Sequence, residues 1–83
     1  MEVSAQVSLY PLRQPRISSQ IERAIAVFSE HGLKVTPGSM STVVSGEHDR
    51  MFDALKQAFQ VSAKQGEMVM VVTLSNACPV RDD

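Results

Sequence analysis

The stretch that decides the fold is EVSAQVSLY, residues 2–10. Its apolar side chains alternate strictly with polar or amphipathic ones, and they are Val3, Ala5, Val7 and Leu9. Because successive side chains of a strand point to opposite faces, this alternation predicts a strand with one buried and one open face. The rest of the chain has to cover the apolar side.

Two segments further along have apolar residues at helical spacing. We expect the first helix to begin at a capping box formed by Ser19 and Glu22 and to end at Gly32. The second is expected between Gly46 and Gly66. The apolar faces are Ile21, Ala24, Ile25 and Phe28 in the first helix and Met51, Leu55, Ala58, Phe59 and Ser62 in the second.

Three further strands complete the pattern. Leu33–Thr36 and Met40–Ser45 flank the turn dipeptide Pro37-Gly38, and Met68–Ser75 is β-rich and mostly apolar. The order is therefore βαββαβ within a single domain, residues 1–83. This order predicts an α+β, ferredoxin-like fold, in which a four-stranded antiparallel sheet carries both helices on one face.

Composition narrows the class of protein. The net charge is −1, which argues against nucleic acid or an anionic membrane as a partner, since both need clustered Lys and Arg. The longest apolar run, Met68–Val72, is far shorter than the roughly 20 residues of a membrane span. The single cysteine, Cys78, cannot form an internal disulfide, and no signal peptide is recognisable at the N-terminus. We therefore expect a cytoplasmic protein.

The open face of the first strand carries short uncharged hydrogen-bonding groups, which are Ser4, Gln6, Ser8 and Tyr10. Such a face suits either a ligand platform or a subunit interface, and both interpretations stay open. In the third strand, alternate side chains form two sets that point to opposite faces of the sheet. One of these two sets must lie beside Gln6 and Ser8. The two sets are Met40, Thr42 and Val44 on one side and Ser41, Val43 and Ser45 on the other.

Three segments, residues 3–12, 38–46 and 52–58, resemble the thiamine-binding family of small ferredoxin-like proteins. The resemblance covers nearly the whole chain and is most specific in the first segment. It implies binding of thiamine or hydroxymethylpyrimidine without catalysis. It also implies the single-domain form, a homo-oligomer, dimer or tetramer, whose complete site needs a second subunit.

On this basis the predicted ligand site is the open face of the first and third strands. Gln6, Ser8 and Thr42 would pair with an aminopyrimidine, because each can donate or accept a hydrogen bond. Tyr10 would stack on the ring and Met40 would offer a polarizable wall. The full predicted set is Ser4, Gln6, Ser8, Tyr10, Met40 and Thr42.

Other motifs add little chemistry. Arg13 and Arg16, in the loop before the first helix, are candidates for binding an anion such as the phosphate of a thiamine phosphate. We expect no metal site, no cofactor other than thiamine as ligand, and no enzymatic activity, because no nucleophile motif or catalytic carboxylate pair is recognisable. The alternative function is a ligand-free oligomerisation module that uses the open sheet face for self-association.

Overall fold

The computed structural model describes residues 1–13, 17–39 and 41–77, and only the backbone of residues 17 and 18. The elements are β1 (Glu2–Pro11), α1 (Ile17–Glu30), β2 (Lys34–Pro37), β3 (Thr42–Glu47), α2 (His48–Ala63) and β4 (Met68–Ser75). The predicted βαββαβ order and ferredoxin-like fold are confirmed. Met40, Arg16 and Cys78 lie outside the described residues.

The four strands form one antiparallel sheet in the order β2-β3-β1-β4. The helices cover the side of β1 that carries Val3, Ala5 and Val7, and all three side chains are buried. The core continues into the helices through side chains that include Ala24, Phe28, Met51 and Ala58. The other side of the sheet is open, as the alternation of β1 predicts.

Helix boundaries differ in part from the predicted ones. Helix α1 begins at Ile17, so the predicted capping box from Ser19 to Glu22 lies within its first turns and not at its start. Its end is as predicted, because Gly32 follows it with φ 75°, the left-handed conformation that glycine adopts most easily. Helix α2 follows β3 directly, and its N-cap is Glu47, whose carboxylate accepts from Asp49 N at 2.8 Å.

No helix in the described ranges is long and apolar enough to cross a membrane.

Candidate functional site

The register of β1 against β3 decides which side chains share the open face. Val44 pairs with Ala5 and is buried under the helices, so the period of two brings Thr42 to the same covered side, where it pairs with Val7. Val43 pairs with Gln6 on the open face. The prediction that Thr42 lies on the open face beside Gln6 and Ser8 is therefore wrong.

Thr42 instead borders a cleft between α1, the middle of β1 and the β2–β3 hairpin. The cleft volume is about 170 Å³. Four of its lining residues carry a hydroxyl, namely Ser8, Ser39, Ser41 and Thr42, and its apolar lining includes Val7, Leu9, Ile21, Ile25 and Phe28. Two predicted ligand-binding residues, Ser8 and Thr42, thus share a site, although not the predicted one.

The cleft lies beside the part of β1 that extends past its described pairing with β3. Strand β1 continues to Pro11, whereas its described pairing with β3 stops at Val7. Leu9, two residues further along β1, is part of the cleft lining. The bond from His48 N to Met1 O, 2.8 Å, shows that odd-numbered residues of β1 direct their backbone groups toward β3. By the same alternation, the backbone N–H and C=O of Leu9 point to the side of β1 on which β3 lies.

The remaining open-face residues have different surroundings. Gln6 Nε2 donates to Ser41 Oγ at 3.0 Å, so Gln6 contacts a residue that also belongs to the cleft lining. The Ser4 and Ser45 hydroxyls lie 3.2 Å apart and hydrogen bond with each other. Tyr10 is exposed on the open face beside β4 and is not part of the cleft lining.

The predicted anion site is only partly described. Arg13 Nε and Nη2 both donate to Glu67 Oε1, at 2.9 and 2.6 Å, and both side chains are largely exposed. An anion would have to compete with this carboxylate, although an exposed ion pair of this kind contributes only about 0–1 kcal/mol. Arg16, the second residue of the prediction, lies outside the described residues.

The titratable side chains do not form a metal centre in the part of the chain that the structure describes. There, no group of three or more His, Cys, Asp and Glu side chains is placed to hold a metal ion. His48 Nδ1 lies 3.3 Å from Asp49 Oδ1, and the imidazole meets the Phe52 ring edge to face at 4.9 Å. None of these three residues at the start of α2 belongs to the cleft lining.

Sequence reasoning missed the helix side of the cleft and Ser39. Ile21 and Ile25 were predicted as part of the apolar face of α1, which is correct, but both are only half-buried and their free surface lines the cleft. A usable signal was the hydroxyl-rich segment Ser39-Met40-Ser41-Thr42 directly after the Pro37-Gly38 turn. Loops with clustered polar groups at the end of a strand often form binding sites.

Comparisons with known proteins place the chain among small proteins of the same fold. The YKOF-related Family matches residues 2–81. A UPF0045 protein from Methanocaldococcus jannaschii is 38% identical over 58 residues. These residues are 69% of this chain and 58% of that protein, so the aligned segment spans less than two thirds of this curated relative. The crystal structure of the M. jannaschii protein aligns over 99% of this chain and 87% of its own, with 27% identity and a TM-score of 0.85.

A second solved structure carries a functional description. It is a candidate thiamine biosynthesis/salvage protein from Thermotoga maritima, 24% identical, covering 89% of this chain and 82% of that one with a TM-score of 0.78. At this identity the likeness shows the common fold alone.

Proposed function

This chain belongs to the YKOF-related Family, and we propose that it binds thiamine or a related aminopyrimidine such as hydroxymethylpyrimidine, without catalysis, in the cleft between α1, β1 and the β2–β3 hairpin. The observation that carries the proposal is the cleft itself, a small and largely apolar space with Thr42 on its covered side and the hydroxyl-bearing residues Ser8, Ser39 and Ser41 in its lining. The resemblance of residues 3–12 and 38–46 to thiamine-binding proteins and the description of the T. maritima neighbour support the choice of ligand.

The chemistry of the cleft suits an aminopyrimidine. Its exocyclic amine is a donor and its ring nitrogens are acceptors, and the hydroxyl of Thr42 can serve either. The side chains of Ile21 and Ile25 offer an apolar wall for the flat ring. Small-molecule sites combine these features, with a mostly apolar lining and a few placed polar groups.

The size of the cleft selects one half of thiamine. Pockets for drug-sized ligands have volumes of about 300–1,000 Å³, whereas this cleft has about 170 Å³. It therefore accommodates one ring, and the thiazolium half would extend outside it. We expect hydroxymethylpyrimidine to retain most of the affinity of thiamine for this reason.

Binding without turnover is also consistent with the lining. Among the described residues that border the cleft, none has a titratable side chain, so no general acid or base is available at the bound ring. We expect incubation with thiamine or its phosphates to return them unchanged. Turnover that persists after repurification and is abolished by a point mutation would contradict this part of the proposal.

The test is calorimetric titration of the protein with thiamine, thiamine phosphates and hydroxymethylpyrimidine. Thr42→Val nearly conserves shape and removes one hydroxyl of the cleft. If that hydroxyl pairs with the desolvated ring, its loss weakens binding by ~1–3 kcal/mol, roughly five- to 150-fold. Thr73→Val is the matched control, because Thr73 is exposed on the open face and pairs with Gln6. We expect it to bind like the parent.

Two outcomes would reject the cleft. If Thr73→Val weakens binding and Thr42→Val does not, the ligand sits on the open sheet face, as the sequence alone predicted. If neither variant nor parent binds any of the three ligands, the assembly function gains support.

The second candidate function, self-association through the open sheet face, rests on exposed apolar side chains there. Val43, Val69 and Val71 are 42%, 44% and 50% exposed, and Tyr10 is 51% exposed. We propose that the protein forms a homo-oligomer, dimer or tetramer, since a chain of this size gains stability by association. Sedimentation at micromolar concentration is the measurement, and a clean monomer would contradict the proposal.

A further inference from the structure

The polar side chains of the cleft lining are all of one kind. They belong to four described residues, Ser8, Ser39, Ser41 and Thr42, and each is a hydroxyl. A hydroxyl donates or accepts a hydrogen bond, so it can pair with an amine or with a carbonyl oxygen. These side chains alone therefore do not distinguish an aminopyrimidine from its oxo counterpart. That distinction requires groups that only donate or only accept, and backbone N–H and C=O groups are of this type.

One lining residue of β1 lies just past the end of the described ladder. Odd-numbered residues of β1 direct their backbone N–H and C=O toward β3, as the 2.8 Å bond from His48 N to Met1 O shows. In the described part of the chain, the β1–β3 ladder ends at the pair Val7 and Thr42. Leu9 is the next odd-numbered residue, and it lines the cleft. Its N–H donor and its C=O acceptor thus lie side by side on the edge of β1 that faces β3.

The backbone groups of other lining residues have partners of their own. Those of the three α1 residues bond within the helix. Ser8 is even-numbered, so its N–H and C=O point toward β4, where it pairs with Val71. On the hairpin, Gly38 N donates to Ser41 O at 2.9 Å. Leu9 is therefore the lining residue best placed to present a donor and an acceptor together.

We propose that the backbone of Leu9 makes the cleft specific for aminopyrimidines, with the exocyclic amine donating to its C=O and the adjacent ring nitrogen accepting from its N–H. This inference rests on the proposed function and names the groups that select the ligand. In an antiparallel ladder, one residue exchanges both of these bonds with the residue opposite, and the amine edge of the ring presents the same donor and acceptor. An oxopyrimidine in the same orientation presents an oxygen acceptor and a ring N–H donor, so neither backbone group finds a partner.

The first test compares hydroxymethylpyrimidine with its 4-oxo counterpart by calorimetric titration of the full chain. The oxo compound is expected to bind roughly 30-fold more weakly or worse, because two desolvated backbone groups stay unpaired. Thr42→Val is expected to weaken both compounds and to keep their ratio, since its hydroxyl serves either. Equal affinity of the parent for both compounds, or a ratio near one in Thr42→Val, would overturn the inference and leave the proposed function intact. If the parent binds neither compound, the proposed function fails and this inference fails with it.

The second test observes the Leu9 amide directly by hydrogen exchange, with and without saturating hydroxymethylpyrimidine. Leu9 is expected to exchange fast in the free protein and slowly in the complex. Val7 is the matched control and is expected to exchange slowly in both, because it pairs with Thr42. Slow exchange of Leu9 in the free protein would overturn the inference, because the chain itself then pairs this amide. Fast exchange of Leu9 in the complex, with slowing at Ser39 instead, would also overturn it and place the recognition on the hairpin.

Discussion

Ser62→Ala tests whether an unpartnered hydroxyl in the core weakens the fold. Ser62 is 1% exposed on the buried face of α2, in line with Met51, Ala54 and Ala58, and its Oγ has no hydrogen-bond partner. Burying a hydroxyl in this way costs about 1–3 kcal/mol. Removing the oxygen is therefore expected to raise the free energy of unfolding.

The magnitude follows from three contributions. Relief of the desolvation cost contributes about 1–3 kcal/mol. Alanine is a better helix former than serine by about 0.5 kcal/mol. The void left by the oxygen atom reduces this gain in stability by about 0.5–1 kcal/mol. The net expectation is a gain of about 0.5–3 kcal/mol, which raises the Tm of a chain of this size by about 2–24 °C.

Urea unfolding at fixed protein concentration is the assay, since self-association would make the apparent stability depend on concentration. Ser29→Ala is the matched control, because Ser29 is exposed on α1 and its substitution is expected to change stability by less than about 0.5 kcal/mol. A loss of stability in Ser62→Ala with an unchanged m-value would refute the reasoning. The hydroxyl would then have a partner, such as a buried water, whose bond stabilises the fold.

Two further predictions concern the junctions that position β3. Gly46→Ala is expected to destabilise the fold by about 1–3 kcal/mol in urea unfolding, because a Cβ there would overlap Cδ2 of the buried Leu33. An unchanged midpoint of the urea transition would mean that Leu33 moves aside freely. Glu47→Ala is expected to cost about 0.5–2 kcal/mol by removing the acceptor of Asp49 N at the start of α2. Glu47→Gln keeps an acceptor oxygen and is expected to lose less, and equal losses in both variants would show that the cap bond is not the cause.

The order of the elements could be predicted from the sequence because it depends on local patterns. The alternation of residues 2–10 predicted β1 and its buried side. The helical spacing of the apolar residues around Phe28 predicted α1, and that around Met51 predicted α2. Boundaries were less predictable. Strand β3 begins at Thr42, two residues later than predicted, and α1 begins at Ile17, before its predicted capping box. Tertiary contacts decide how far each local preference extends.

The site could be predicted only in part, because its location depends on register. The sequence left two alternations open for β3, and a shift of one residue moves every side chain to the other face. The pairing of Ala5 with Val44 settles the choice and brings Thr42 under the helices. The cleft lies where β1 continues past the end of its described pairing with β3 and α1 packs nearby. No local pattern encodes this arrangement, since it depends on how separate elements meet in the fold.

Ligand binding and self-association are separable because the cleft and the exposed apolar side chains lie on opposite faces of the sheet. The cleft lining includes Val7 and Phe28 of the helix side, whereas Val71 is exposed on the open face. Self-association through the open face would therefore leave each cleft bordered by one chain. We expect Val71→Lys, which places a charge on that face, to be monomeric and to bind the pyrimidine like the parent, and Thr42→Val to remain associated while binding weakly. If Val71→Lys instead loses the ligand along with the partner, the site is shared between subunits, as the family resemblance implies, and the single-chain cleft is incomplete.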